Sequence, residues 1–289
     1  MKPLCTPELR RWIEEQLGRG CDPADMIDAM ITVGHPADFA RRWVEAAASG
    51  GVAAVDDAIV EANASKSPTV VPDPLAEALS TGAHFIDAGD HRVDVVISLA
   101  KPRVIVFRNL LTDAECDELV AASRPKLARS ETVNRASGGT ELNAARTSEG
   151  TYFFHDASPL LERINRRIAA VTRWPLANGE PLQILHYGIG AEYQPHYDYF
   201  SLGDAGTPSL LTHGGQRVAT LIIYLNTPEA GGATIFPDVG LEVAPIRGSA
   251  VFFSYDHPGP ATRTLHGGTP VVAGEKWIAT RWMRGGVYT

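Results

Sequence analysis

A chain of 289 residues, 44% hydrophobic and 21% charged, has the makeup of a soluble globular protein with room for one large domain and a small one. Its net charge of -8 argues against a non-specific nucleic-acid binder and against an anionic membrane surface as a partner. Three widely spaced cysteines, Cys5, Cys21 and Cys116, do not make a disulfide framework or a zinc ribbon, and with no apolar run of signal-peptide or membrane-span length a reducing, cytoplasmic location is expected.

Residues 1–49 read as a three-helix module. Thr6 is placed to cap the first helix, with Pro7 at its first position and Leu9, Trp12, Ile13 and Leu17 at helical spacing before Gly18 and Gly20. After Asp22-Pro23, the residues Met26, Ile27, Met30 and Ile31 carry a second helix to Gly34, and Pro36 opens a third with Phe39, Trp43 and Val44. The module holds no catalytic constellation; packing or interaction is its expected role. Residues 50–78, with Pro68, Pro72 and Pro74, read as a weak helix and a linker.

Residues 79–289 form the main domain. Strands are expected at His84–Ala88, Val93–Leu99 and Arg103–Arg108. Thr112-Asp113-Ala114-Glu115 is a capping box opening a helix that stops before Pro125. Leu160–Val171 is a second amphipathic helix, with Leu161, Ile164, Ile168 and Val171 on one side. Short strands follow at Leu182–Tyr187, Tyr193–Phe200, Arg217–Leu225, Thr234–Phe236, Ala250–Tyr255, Thr262–His266 and Glu275–Met283, separated by Gly-Gly and Pro-Asp turns. Helices followed by many short strands imply an α+β domain, a double-sheet barrel or jelly roll backed by helices.

The chemistry concentrates on that β-rich part. In the strand expected at Tyr193–Phe200, alternate side chains share a face, so His196 and Asp198 project the same way. An imidazole and a carboxylate suit a divalent transition metal better than calcium or magnesium. His266, on a strand distant in sequence, shares a face with Thr262 and Thr264 and is able to complete a two-histidine, one-carboxylate face. Such a face leaves coordination positions open, the arrangement of non-haem Fe(II) oxygenases. Lys276, ten residues after His266, alternates onto one face with Ile278, Thr280 and Trp282. An ammonium among apolar residues calls for an anionic partner, and the carboxylate of a bound ligand is a natural one.

Four ordered motifs carry a family resemblance: His196-Tyr197-Asp198; Gly231-Gly232-Ala233-Thr234-Ile235-Phe236-Pro237; Arg247-Gly248-Ser249-Ala250-Val251-Phe252-Phe253; and Leu265-His266-Gly267-Gly268-Thr269-Pro270-Val271 running into Gly274-Glu275-Lys276-Trp277. The chain over residues 100–285 resembles the 2-oxoglutarate/Fe(II)-dependent dioxygenases, in their prolyl 4-hydroxylase-like branch. The resemblance implies a double-stranded β-helix (jelly-roll) core with His196, Asp198 and His266 as iron ligands and catalytic residues. It implies that Lys276 pairs with the distal carboxylate of 2-oxoglutarate and that Tyr187 hydrogen-bonds the same co-substrate. Tyr193 and Trp282 match residues lining the pocket near the substrate, and Arg146 and Ser148 match a segment that contacts peptide substrate. His186, His213 and His257 have no ligand role in this reading, and a carboxylate at position 198 argues against the halogenating relatives.

The reaction implied oxidises 2-oxoglutarate to succinate and carbon dioxide with dioxygen and hydroxylates a C–H bond, with ascorbate as reductant. The expected substrate is a prolyl residue in a peptide or protein. A free amino acid or other small molecule is the nearer alternative, and a noncatalytic ligand-sensing jelly roll the alternative of another class. Segments Ser201–Gly215 and Arg129–Arg146 are expected to cover the site. Zinc is expected to compete with ferrous iron for it.

Overall fold

The computed structural model describes residues 7–32, 37–50, 74–80, 82–130, 132–134, 137–141 and 146–289. The chain divides into two compact units, Met1–Val70 and Val71–Thr289. In the first, helices Pro7–Gly18, Pro23–Thr32 and Ala37–Gly50 bury Ile13, Met26, Met30, Ala40, Val44 and Ala47 together. Met26 and Met30 are four apart and therefore share a helix face; Ile31 falls off that face and is exposed. The expected cap Thr6, the stop at Gly34 and the start at Pro36 lie outside the described residues.

Most of the expected linker, 51–73, also lies outside them, but its end does not behave as a linker. Pro74–Leu79 is a helix whose Leu75 is fully buried in the core of the second unit.

Eight strands build a jelly roll in that unit: β1 Leu182–Tyr187, β2 Tyr193–His196, β3 Arg217–Tyr224, β4 Thr234–Phe236, β5 Leu241–Val243, β6 Ala250–Ser254, β7 His266–Gly268 and β8 Lys276–Arg284. They divide between two antiparallel sheets. One has the order β5-β4-β7-β2. The other contains β6-β3-β8-β1 and extends to nine strands, through Arg103–Arg108, Arg92–Leu99 and Phe85–Asp87 on one side and Glu149–Phe153 and Ala128–Arg129 on the other.

Strands β3, β6 and β8 are buried on both faces because both faces are covered. Leu185, Ile222, Val251, Phe253 and Ile278 point between the sheets, with Phe236 from the smaller sheet. Their neighbours Ile184, Leu221, Phe252, Trp277 and Ala279 point the other way, onto Leu119, Leu161, Ile164 and Ile168 of the helices Asp113–Ser123 and Pro159–Thr172. Each such side chain fully withdrawn from water contributes about 1.5–3 kcal/mol before entropy is counted.

The helix ends follow the residues read for them. Thr112 Oγ1 accepts from Glu115 N at 3.2 Å while Glu115 Oε2 accepts from Thr112 N at 3.0 Å. Glu115 is also paired with Arg167 of the second helix at 2.7 Å, and Arg167 reaches Asp90 at 2.8 Å. Burial alone would raise the Glu115 pKa; hydrogen bonds from Arg167 overcome that and hold it at about 2.

Two strands differ from expectation. The strand begun at Tyr193 stops at His196 instead of Phe200, because Gln216 satisfies the main chain of Phe200 with its side chain: its Oε1 accepts from Phe200 N at 2.7 Å and its Nε2 donates to Phe200 O at 2.8 Å. The strand expected at Thr262–His266 begins only at His266. Pro260–Thr262 is a 3-10 turn ending in Arg263 at φ 55°, a left-handed conformation that no strand accommodates.

Candidate active site

The mouth of the jelly roll is where the smaller sheet's β2 and β7 pair, with His266 directly opposite His196. Asp198 lies two residues beyond β2, on the bend. It converges with His196 across that bend, not by the strand alternation expected for the pair. His196 Nε2 is 3.5 Å from Asp198 Oδ1 and His266 Nε2 is 3.5 Å from Asp198 Oδ2; one donor atom from each of the three residues lies within 4.8 Å of the others. His196 Nδ1 donates to Gln194 O at 2.9 Å and His266 Nδ1 to Thr264 O at 3.0 Å. A carbonyl only accepts, so both rings carry a proton on Nδ1, which leaves Nε2 as the atom each ring has to offer a metal. Burial pushes His266 down to about 4, which favours the neutral, ligating form. Burial acts to raise the Asp198 pKa, but the neighbouring His266 and His196 outweigh it and hold it below the usual carboxylate range. Two neutral imidazoles and a carboxylate on one face fit ferrous iron, with positions left open.

Lys276 lines the same cavity. Its side chain is 3% exposed and burial lowers its pKa to about 8. Among the described residues no carboxylate pairs with it; the Tyr187 and Tyr224 rings lie 5.4 and 5.9 Å from its Nζ. Gly232 makes its approach possible: a Cβ there would meet Lys276 Cδ at 3.1 Å. A buried cation without an anion, in a cavity shared with a metal-binding face, fits a co-substrate that carries a carboxylate at each end.

The remaining expected residues divide. Tyr187 lies opposite Lys276 in the β1–β8 register and lines the cavity; burial raises its pKa against the opposing pull of Arg146 and Ser148. The Tyr193 ring stacks on His196 at 3.7 Å, with the Arg146 guanidinium 5.0 Å from its centre. Burial pushes Tyr193 up to about 12. Arg146 lines the cavity, and so does Trp282, whose buried Nε1 has no partner. Ser148 does not. It is fully buried behind the cavity, accepting from Arg146 Nε at 3.2 Å and bonded to Ser130 Oγ at 3.0 Å. Its hydroxyl holds Arg146, which is the residue of the two that lines the cavity. His186 pairs with Glu275 at 3.0 Å on the opposite face, and His213 and His257 lie outside the cavity.

The two segments expected to cover the site touch each other. Gly138 and Gly206 meet backbone to backbone, with no room for a Cβ on either.

Several lining and supporting residues were not read from the sequence: Thr220, Thr234, Tyr255 and Asn226. Thr220 had a signal, a hydroxyl in the otherwise apolar run Val218–Tyr224.

Comparison with known proteins agrees with this geometry. Residues 182–284 match the family model of the 2OG-Fe(II) oxygenase superfamily. Prolyl 4-hydroxylase 5 of Arabidopsis thaliana is 37% identical over 203 residues, covering 63% of this chain and 68% of that protein. The probable prolyl 4-hydroxylase 8 of the same plant is 34% identical over 235 residues, covering 74% and 79%. The viral collagen prolyl hydroxylase of Paramecium Bursaria Chlorella virus-1, solved as its 2OG complex, is 31% identical, covering 63% of this chain and 95% of that one at a TM-score of 0.48. Jelly roll, three-residue face and buried lysine together define a 2-oxoglutarate- and Fe(II)-dependent dioxygenase. Within that class the chain belongs to the prolyl 4-hydroxylase-like branch of the 2OG-Fe(II) oxygenase superfamily.

Proposed function

We propose that the protein hydroxylates prolyl residues in a peptide or protein, with His196, Asp198 and His266 holding ferrous iron and Lys276 taking the distal carboxylate of 2-oxoglutarate. The observation that carries this is the ammonium of Lys276, without a carboxylate partner among the described residues, in one cavity with the three donor atoms. The names of the plant relatives support the prolyl substrate.

When bound, iron, 2-oxoglutarate and dioxygen supply the oxidising power that places one oxygen atom on a C–H bond, and the co-substrate leaves as succinate and carbon dioxide. The chain supplies position. The Nδ1 hydrogen bonds fix the two imidazoles before any ligand arrives. Leu185, Ile222 and Ile278 line the cavity that Lys276 enters, and apolar surroundings of that kind strengthen the hold of an ammonium on an anion. Tyr193, Trp282 and Arg146 line the same cavity and offer it two aromatic surfaces and a guanidinium.

The test is incubation with Fe(II), ascorbate as the proposed reductant, and 2-oxoglutarate, with prolyl peptides in one arm and free proline and other amino acids in another. A peptide gain of one oxygen by mass, matched by succinate, is expected. Oxygen gained only by a free amino acid would replace this reading with a small-molecule hydroxylase. Ligand binding without succinate in any arm would replace it with a sensor.

A further inference from the structure

The Asp198 carboxylate is held from behind. Its Oδ2 accepts a hydrogen bond from Thr220 Oγ1 at 2.7 Å. A hydroxyl has one proton, so Thr220, having given it to Asp198, faces Tyr255 as an acceptor; the phenol Oη stands 3.1 Å away. The direction of the chain is thereby fixed: Tyr255 donates to Thr220, and Thr220 donates to Asp198. All three are buried, Thr220 completely. They come from separate places in the fold. Thr220 is on β3, Tyr255 follows β6 and is tied to β3 by its N–H to Val218 O at 3.0 Å, and Asp198 is on the bend after β2. Tyr199 and Phe253 pack on the Tyr255 ring with centroids 6.0 and 6.3 Å away, leaving the phenol one placement.

We propose that Thr220, backed by Tyr255, is a positioning residue that sets the rotation of the Asp198 carboxylate between the two imidazoles. With Oδ2 held by Thr220, the carboxylate keeps one oxygen toward each imidazole, Oδ1 at 3.5 Å from His196 Nε2 and Oδ2 at 3.5 Å from His266 Nε2. The bend at Tyr197–Phe200 is not a strand, so no ladder of main-chain bonds fixes Asp198 as the β2–β7 pairing fixes His196 and His266. The hydroxyl supplies that missing constraint. Two hydrogen bonds in series, in a dry interior, polarise each other and act together.

The experiment titrates metal-free protein with cobalt(II), read by its visible absorption, for wild type, Thr220→Val, Thr220→Ser, Tyr255→Phe and Thr220→Val/Tyr255→Phe. Outer-shell partners of metal ligands carry about 10- to 100-fold in affinity, and that loss is expected for Thr220→Val with a changed cobalt spectrum. Thr220→Ser is expected to keep wild-type affinity and spectrum. Tyr255→Phe is expected to lose several-fold, and the double variant no more than Thr220→Val alone. Thr220→Val binding cobalt within about twofold of wild type with an unchanged spectrum would overturn the role, and so would losses that multiply in the double variant. Should Thr220→Val fail to fold, Tyr255→Phe decides: unchanged affinity and spectrum there would overturn the dyad. The role rests on the metal reading above, and the two fail separately, since wild-type protein that takes up no cobalt would defeat the metal site itself.

Discussion

Lys276 stands directly opposite Tyr187 where β8 pairs with β1, its ammonium 5.4 Å from the centre of the phenol ring. A cation held this way among apolar and aromatic groups destabilises the empty protein and is relieved by an anion. Lys276→Met is therefore expected to melt no lower than wild type while losing 2-oxoglutarate affinity on the order of 100-fold, the size of a lost buried charge pair. Thermal melts and the 2-oxoglutarate dependence of succinate release check the two halves.

The same lysine gives a pH dependence with a definite sign. Burial lowers its pKa to about 8 in the empty protein, and only the protonated form attracts a carboxylate. The Kd for 2-oxoglutarate is expected to be flat below pH 8 and to rise as pH climbs above it, approaching tenfold per pH unit. Calorimetric titration between pH 6.5 and 9.5 measures this, and Lys276→Arg is expected to flatten the profile.

Asn226 brackets Lys276. Its Nδ2 donates to Glu275 O at 2.7 Å and its Oδ1 accepts from Trp277 N at 2.7 Å, so one side chain pins the backbone on both sides of the lysine, just past the end of β3. Asn226→Ala is expected to raise the KM for 2-oxoglutarate about tenfold, the equivalent of one or two hydrogen bonds at about 1 kcal/mol each, with cobalt affinity unchanged. A parallel fall in both would mark it as general structural support.

Glu115 joins the capping box of one helix to Arg167 on the other. Its folded pKa of about 2 lies below the ordinary 4.5, so its contribution is present above pH 4.5 and is lost as pH falls towards 2. That contribution is on the order of 3 kcal/mol. Glu115→Gln is expected to lower the melting temperature at neutral pH and to bring the variant and wild type together under acid, in melts recorded from pH 7 to 2.5.

What the sequence disclosed and what it hid divide along physical lines. His196, Asp198, His266 and Lys276 sit in motifs with fixed spacing, and the helices announced themselves through Thr112, Glu115 and the period of Leu161, Ile164 and Ile168, all local signals. The relations left unread are not local. Thr220 meets Asp198 across 22 positions, where the smaller sheet folds over the larger, and Asn226 meets Glu275 across 49, where β3 pairs with β8 in one sheet. Gln216 ends a strand by bonding to Phe200 sixteen residues away, an interaction that alternation of side chains does not encode. Arg146 and Ser148 were read together from a resemblance to a peptide-contacting segment, yet only Arg146 lines the cavity, while Ser148 accepts from its Nε.

The most direct test of the central claim, that the three side chains hold one ferrous ion beside a co-substrate anchored by Lys276, is an anaerobic titration. Metal-free protein would receive Fe(II) and then 2-oxoglutarate, read by visible charge-transfer absorption, for wild type, His266→Ala and Lys276→Met. The account predicts a band in wild type that needs both additions, no band in His266→Ala, and in Lys276→Met a band reached only at far higher 2-oxoglutarate. A band of wild-type strength in His266→Ala, at the same concentrations, would contradict it.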